Sequence, residues 1–244
     1  MTRRLILCAC AATSLFMTAS ALGQTAPAAK PQKTLEYLTA ADIDPARLLA
    51  APPVDGSPIA QADLAETRRI AAGATPERLA QAKWDDEHEN PSAFDATLGK
   101  DFDLRALPAT AEVLRIAKLD GDLAAGAAKK FFARKRPWAV DSAIQTCDPN
   151  DKPVGSYPSG HATMGYTVAM TYAALIPEKA QALMARADDY AYSREVCGSH
   201  YGSDTRASAV ISAVVVTTLL KNPEFQAKME AARTELRAAK ITAQ

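Results

Sequence analysis

From about Ile59 onward, apolar residues recur at spacings of three and four with charged residues between them. That is the period of a helix with one buried face. It predicts helices at roughly 60–72, 76–88, 107–118, 121–135, 161–175, 178–193, 204–220 and 223–241. Thr75-Pro76-Glu77 and Asn222-Pro223-Glu224 read as helix starts, a capping residue followed by proline in the first turn. The run from Ala162 to Ile176 is apolar on every side and reads as a buried helix. Ala209 to Leu220 is β-branched enough to pass for a buried strand, but its length and helical neighbours favour a core helix. Alternating strand patterns are almost absent, and no internal repeat stands out. The expected fold is all-α, with a single domain over residues 59–244.

The pattern before Ile59 is different. Residues 24–58 are rich in Pro and Ala and predict an extended N-terminal arm, with regular structure only around Ala41 to Ala50. Residues 1–23 read as a signal peptide. Met1-Thr2-Arg3-Arg4 precedes an apolar stretch from Leu5 to about Leu22, and Ala21-Leu22-Gly23 before Gln24 is an acceptable cleavage site. Leu7-Cys8-Ala9-Cys10 hints at a lipoprotein signal, but the apolar stretch before Cys10 is very short. The expected location is periplasmic or secreted.

The 244-residue chain carries 28 basic and 28 acidic side chains. Losing Arg3 and Arg4 with the signal would leave a net charge near −2. Such a chain has no global basic field for nucleic acid or anionic lipid. Beyond the signal, no segment reaches the ~18 apolar residues of a membrane span. Processing would also leave two of the four cysteines, Cys147 and Cys197. In an oxidising compartment they suggest one disulfide, with a pair of unrelated buried thiols as the alternative.

The chemistry-bearing residues fall in three groups. Gly155-Ser156-Tyr157-Pro158-Ser159-Gly160-His161 stands directly before the buried helix, where Ser159 is a good N-cap. A helix start offers free N–H groups and a positive dipole end, a seat for an anion. Upstream lie Lys129, six residues, then Arg136-Pro137. If 121–135 is helical, that spacing puts Lys129 and Arg136 on one face, with Pro137 ending the helix. Downstream lie Ser193-Arg194, five residues, His200, three more, then Asp204. A four-residue separation lets the carboxylate hydrogen-bond the imidazole one turn away. Arginine matches phosphate bidentately and lysine acts as a point charge. A histidine held by an aspartate suits a nucleophile, and a second, free histidine suits a general acid.

Together, Lys-x6-Arg-Pro, Pro-Ser-Gly-His and Ser-Arg-x5-His-x3-Asp resemble the signature of the type 2 phosphatidic acid phosphatase superfamily, which includes the vanadium haloperoxidases. Within it, residues 155–161 resemble the bacterial class A non-specific acid phosphatases. Ala162 stands where that group usually has threonine. The resemblance implies a compact helical bundle and a broad-specificity acid phosphatase acting through a phospho-histidine, with phosphotransfer as a side activity. It implies small phosphate monoesters as partners, namely nucleotides, sugar phosphates and aryl phosphates, and it implies no metal or other cofactor. His200 would attack phosphorus, Asp204 would orient it, and His161 would protonate the leaving group. Lys129, Arg136, Arg194, the Ser159 hydroxyl and the Gly160 N–H would hold the phosphate oxygens. A vanadium-dependent haloperoxidase and a phosphate-binding module without turnover are the alternatives. A homo-oligomer stays open.

Other residues draw plainer readings. Lys130, Arg134 and Lys135 read as a solvated basic edge. The acids of Trp84-Asp85-Asp86-Glu87-His88-Glu89-Asn90 read as an exposed helix face or end rather than a metal site, and His88 as outside the active site. Phe131-Phe132 read as core, with one ring at the substrate mouth as the alternative. Tyr157 and Trp138 read as candidate contacts to the leaving group.

Overall fold

The computed structural model describes residues 33–148 and 151–242. The expected signal peptide and the first residues of the arm lie outside the described residues. The described residues form ten α-helices: α1 (Pro45–Leu48), α2 (Pro58–Gly73), α3 (Pro76–Glu87), α4 (Asp95–Leu98), α5 (Pro108–Phe132), α6 (Pro137–Val140), α7 (Gly160–Leu175), α8 (Ala180–Val196), α9 (Gly202–Leu219) and α10 (Pro223–Ala238). Among the described residues the only β-pairing is an isolated bridge between Lys135 and Val154. The protein is all-α, and the β-branched run from Ala209 lies in α9.

The caps explain where several helices begin. Ser57, Thr75 and Ser159 accept from the backbone N–H of Ala60, Arg78 and Ala162, and Asn222 accepts from Glu224 and Phe225. Each cap satisfies a donor that the first turn cannot.

Helix α7 is the axis of the molecule, packed against α5, α8 and α9. Its buried residues lie on every side, as a helix apolar all round requires. A Cβ at Gly165 would stand 2.9 Å from the Tyr190 ring, so this glycine lets α7 and α8 close together. Helix α10 covers α5 with Phe225, Met229, Ala232 and Leu236.

The two helices expected at 107–118 and 121–135 are one helix of 25 residues. Gly121 does not break it. A Cβ there would meet Thr167 Oγ1 at 3.0 Å, so the residue serves the close approach of α5 to α7. The helix stops at Phe132, because Ala133 turns left-handed (φ 46°) while its N–H still bonds Lys129 O.

Residues 33–57 hold one turn of helix, α1. They are tied down: Leu38, Ile43 and Leu49 are buried in the main core, and Asp120 accepts from Glu36 N. A disulfide joins Cys147 to Cys197, with Cα atoms 5.0 Å apart. No single helix among the described residues is long and apolar enough to cross a membrane.

Candidate active site

Four segments converge on a cavity of about 280 Å³ whose wall includes Lys129, Arg136, Gly160, His161 and His200. Lys129 comes from the last turns of α5, and Arg136 from the loop after it. Gly160 and His161 open α7, and His200 sits in the turn between α8 and α9. Ser159, Arg194 and Asp204 stand buried behind that wall. All the sequence-predicted site residues are therefore brought into one region.

Lys129 and Arg136 do not share a helical face, because α5 ends between them. Arg136 instead precedes α6, so Pro137 opens a short helix rather than closing a long one. Backbone pairing holds the loop: Arg136 N donates to Pro153 O, and Gly155 N and Ser156 N both donate to Arg134 O. This brings the residues of 151–161 against α5.

His200 is held at both ring nitrogens. Nδ1 lies 2.8 Å from the carbonyl oxygen of Ser156. A carbonyl only accepts, so Nδ1 carries the proton and Nε2 keeps its lone pair. Arg136 Nη1 donates to that lone pair at 2.9 Å. Burial, followed by the charges of Arg136, Lys129 and Arg194, pushes the imidazole well below its ordinary value. The ring is therefore neutral.

Asp204 is nearby but is not the direct acceptor of the His200 proton. Its Oδ2 is 3.4 Å from Nδ1, and it accepts from Ser156 Oγ at 2.5 Å and from Tyr201 N at 3.0 Å. The expected one-turn geometry fails because His200 precedes α9, where Asp204 is the third residue. Burial raises the Asp204 carboxyl to about 6, with the Arg134 charge pulling it down.

His161 is held by an unforeseen segment. Nε2 lies 3.0 Å from Asp86 O, which fixes the proton there, and Nδ1 is 3.7 Å from Glu89 Oε1. Burial and the Arg194 charge push His161 down to about 3. Lys129 is pushed down to about 8, mainly by burial, and stays charged in acid. Arg194 pairs with Asp86, and its Nε is buried without a hydrogen-bond partner. The Ser159 hydroxyl accepts from Ala162 N, which leaves its own O–H free to donate.

Several plainer readings need correction. Asp85 is fully buried, bonded to Arg186 and Ser193, and Asp86 faces Arg194 and His161. The end of α3 is thus a wall of the site rather than a solvated face. His88 stays apart, stacked on Trp84. Arg134 is buried and bonded to Asp204 and Asp63, so it is not a solvated edge. Tyr157 is buried, packs against Phe132 and donates to Ala50 O, which points it away from the cavity. Trp138 is not among the residues lining the cavity. Phe131 and Phe132 meet edge to face, but only Phe132 packs on the core; Phe131 is 59% exposed, where both were expected in the core. Among the described residues, no group of three His, Cys, Asp or Glu side chains could hold a metal ion.

The model of the PAP2 superfamily matches residues 115–227, a stretch that contains every motif position from Lys129 to Asp204. An acid phosphatase of Zymomonas mobilis is 33% identical over 251 residues, covering 97% of this chain and 92% of that protein. A non-specific acid phosphatase of Providencia stuartii is 36% identical over 119 residues, 47% of this chain and 48% of that protein. One from Salmonella typhimurium is 33% identical over 148 residues, 59% of each chain.

Proposed function

The chain belongs to the PAP2 superfamily, among its acid phosphatases, and from that premise we propose that it hydrolyses phosphate monoesters through a phospho-histidine on Nε2 of His200. The observation that carries this reading is the tautomer. With Nδ1–H bound to Ser156 O, the ring's lone pair is on Nε2, on the wall of the cavity.

The first step forms an Nε2–P bond as the bond from phosphorus to the leaving oxygen breaks. His200 then carries a positive charge, which the Asp204 carboxylate 3.4 Å away balances. His161 gives the leaving alkoxide its proton, from Nδ1, because Asp86 O holds Nε2–H. In the second step His161 takes a proton from water, the water oxygen bonds to phosphorus, and the Nε2–P bond breaks to release inorganic phosphate. Lys129, Arg136 and Arg194 meet the equatorial oxygens, with Gly160 N–H and Ser159 O–H at the helix start. Arg136 would exchange its contact with Nε2 for phosphate, freeing the lone pair. Its other bonds, to Lys152 O, Ser199 O and Asp151, keep the guanidinium in place.

With protein charges alone around it, His161 is neutral well above pH 3, so in mild acid it cannot begin as a general acid. A phosphate dianion in the cavity would raise it again. Substrate binding and protonation of the acid are then one event. Nucleotides, sugar phosphates and aryl phosphates fit as substrates, and an alcohol that outcompetes water would accept the phosphoryl group. Residues 1–23 support a periplasmic or secreted location. The test is aryl phosphate hydrolysis in excess chelator, wild type beside His200→Ala. Activity that survives the chelator and falls by several powers of ten in the variant supports the reading. Activity lost to the chelator contradicts it.

A further inference from the structure

Behind the His200–Asp204 pair lies a second buried ion pair that the chemistry above does not use. Arg134 and Asp63 have side chains only 5% and 9% exposed and lie 2.9 Å apart, joining the loop after α5 to α2. Arg134 Nη1 donates to Asp204 Oδ1 at 2.6 Å and to Ser203 Oγ at 2.6 Å. Ser203 Oγ donates in turn to Asp63, and Ser203 N donates to it at 3.3 Å. The guanidinium also lies 3.8 Å over the ring of Tyr201, the residue that caps α9. Its backbone carbonyl accepts from Ser156 N at 3.0 Å. Arg134 therefore grips both partners of the dyad: Asp204 through its side chain, and through its carbonyl the Ser156 backbone that holds His200.

We propose that Arg134, which Asp204 shares with Asp63, is the positioning residue that keeps the Asp204 carboxylate ionised and in place beside His200. The two carboxylate oxygens are divided between two tasks. Oδ1 faces Arg134, and Oδ2 faces Ser156 and Nδ1 of His200. Without Arg134 the carboxylate would have no charged hydrogen-bond donor, and a fully buried acid then takes up a proton. A protonated Asp204 cannot balance the cation formed on His200. Asp63 sets how much of the arginine Asp204 receives, since two acids share one guanidinium.

The other charged and titratable groups facing this cluster come from each neighbouring segment. Lys129 of α5 and Arg136 of the following loop favour the carboxylate, as would a cationic His200. Glu195 of α8 opposes it, and the Tyr157 and Tyr201 phenols stay neutral. Burial raises the Asp204 carboxyl to about 6, and the Arg134 charge is the strongest pull in the other direction.

The inference rests on the phospho-histidine reading and is tested with kcat–pH profiles on an uncharged aryl alcohol's phosphate. Arg134→Gln, Arg134→Lys, Asp63→Asn and His200→Ala are compared with wild type. Arg134→Gln should lower kcat at least tenfold, move its acid limb up by a pH unit or more, and leave KM within about twofold. Arg134→Lys should restore much of the limb position. Asp63→Asn should move the limb the other way, to lower pH, because Arg134 then serves Asp204 alone. A merely structural pair would not produce shifts of opposite sign. A limb unmoved in Arg134→Gln overturns the inference. If that variant fails to fold, Asp63→Asn decides: a limb moved down supports the proposal, and a limb unmoved or raised overturns it. His200→Ala reads out the underlying mechanism separately, since substantial activity there removes the phospho-histidine whatever Arg134 does.

Discussion

Nδ1 of His200 lies 2.8 Å from the carbonyl oxygen of Ser156, so a backbone atom, rather than the Asp204 side chain, fixes the tautomer of the proposed nucleophile. The Ser156 side chain does something else: its hydroxyl donates to Asp204 Oδ2 at 2.5 Å. The two functions can be separated. Ser156→Ala keeps the carbonyl and the tautomer but leaves Asp204 one donor short. We expect kcat to fall about tenfold, equivalent to ~1.4 kcal/mol in the barrier, with KM little changed. Steady-state kinetics on an aryl phosphate checks this; a variant equal to wild type would show that the hydroxyl does not matter.

The lowered basicity of His161 predicts a pH signature with a definite sign. The folded value is about 3 and the ordinary value is 6.5, so the unfolded chain binds more protons between them. Wild type therefore loses stability through this group as pH falls from about 6.5 toward 3, by about 2 kcal/mol at pH 5. His161→Gln lacks that loss, and its stability relative to wild type should rise as pH falls. Denaturant melts of both proteins from pH 4 to 7 measure it. In NMR titrations His161 should show no midpoint near 6.5 without phosphate, and a raised one with it.

The disulfide links the loop before the site to the end of α8. It spans 50 residues of sequence, for which the chain-entropy model gives about 4 kcal/mol. Reduction, or Cys197→Ser, should lower stability by roughly that amount. Thiol titration of a chain lacking residues 1–23 should find no free thiol, folded or unfolded, until a reductant is added.

Gly165→Ala probes the axis of the fold. The new methyl group would stand 2.9 Å from the Tyr190 ring, whose hydroxyl donates to His88 O. Helices α7 and α8 carry His161 and Arg194, so their separation affects the site as well as the core. We expect a loss of about 1–3 kcal/mol in a denaturant melt, together with a raised KM.

The motif residues were legible because each pairs a rare residue type with a fixed spacing, and the N-caps because Ser159, Thr75 and Asn222 act on their own helices. Arg134 was not legible. Its partners Asp63 and Asp204 come from distant parts of the chain, and from sequence it is one of several cations after an Ala-rich helix. Asp85 and Asp86 look like the solvated end of α3 until α8 is laid across them. Gly121 suggests a break until the opposing Thr167 is seen. In each case the missing term was a tertiary neighbour, which periodicity does not report. The end of α5 was misplaced for a local reason, the left-handed turn of Ala133, a residue with no evident preference for that conformation.

The most direct test of the central claim is to trap the intermediate. Wild-type protein is mixed with an aryl phosphate, quenched in alkali within the first turnovers, digested and examined by mass spectrometry. The account predicts one phosphoryl group on the peptide carrying His200, attached at Nε2, with none in His200→Ala. Turnover without any phosphorylated His200 peptide, or the group found on His161 instead, would contradict it.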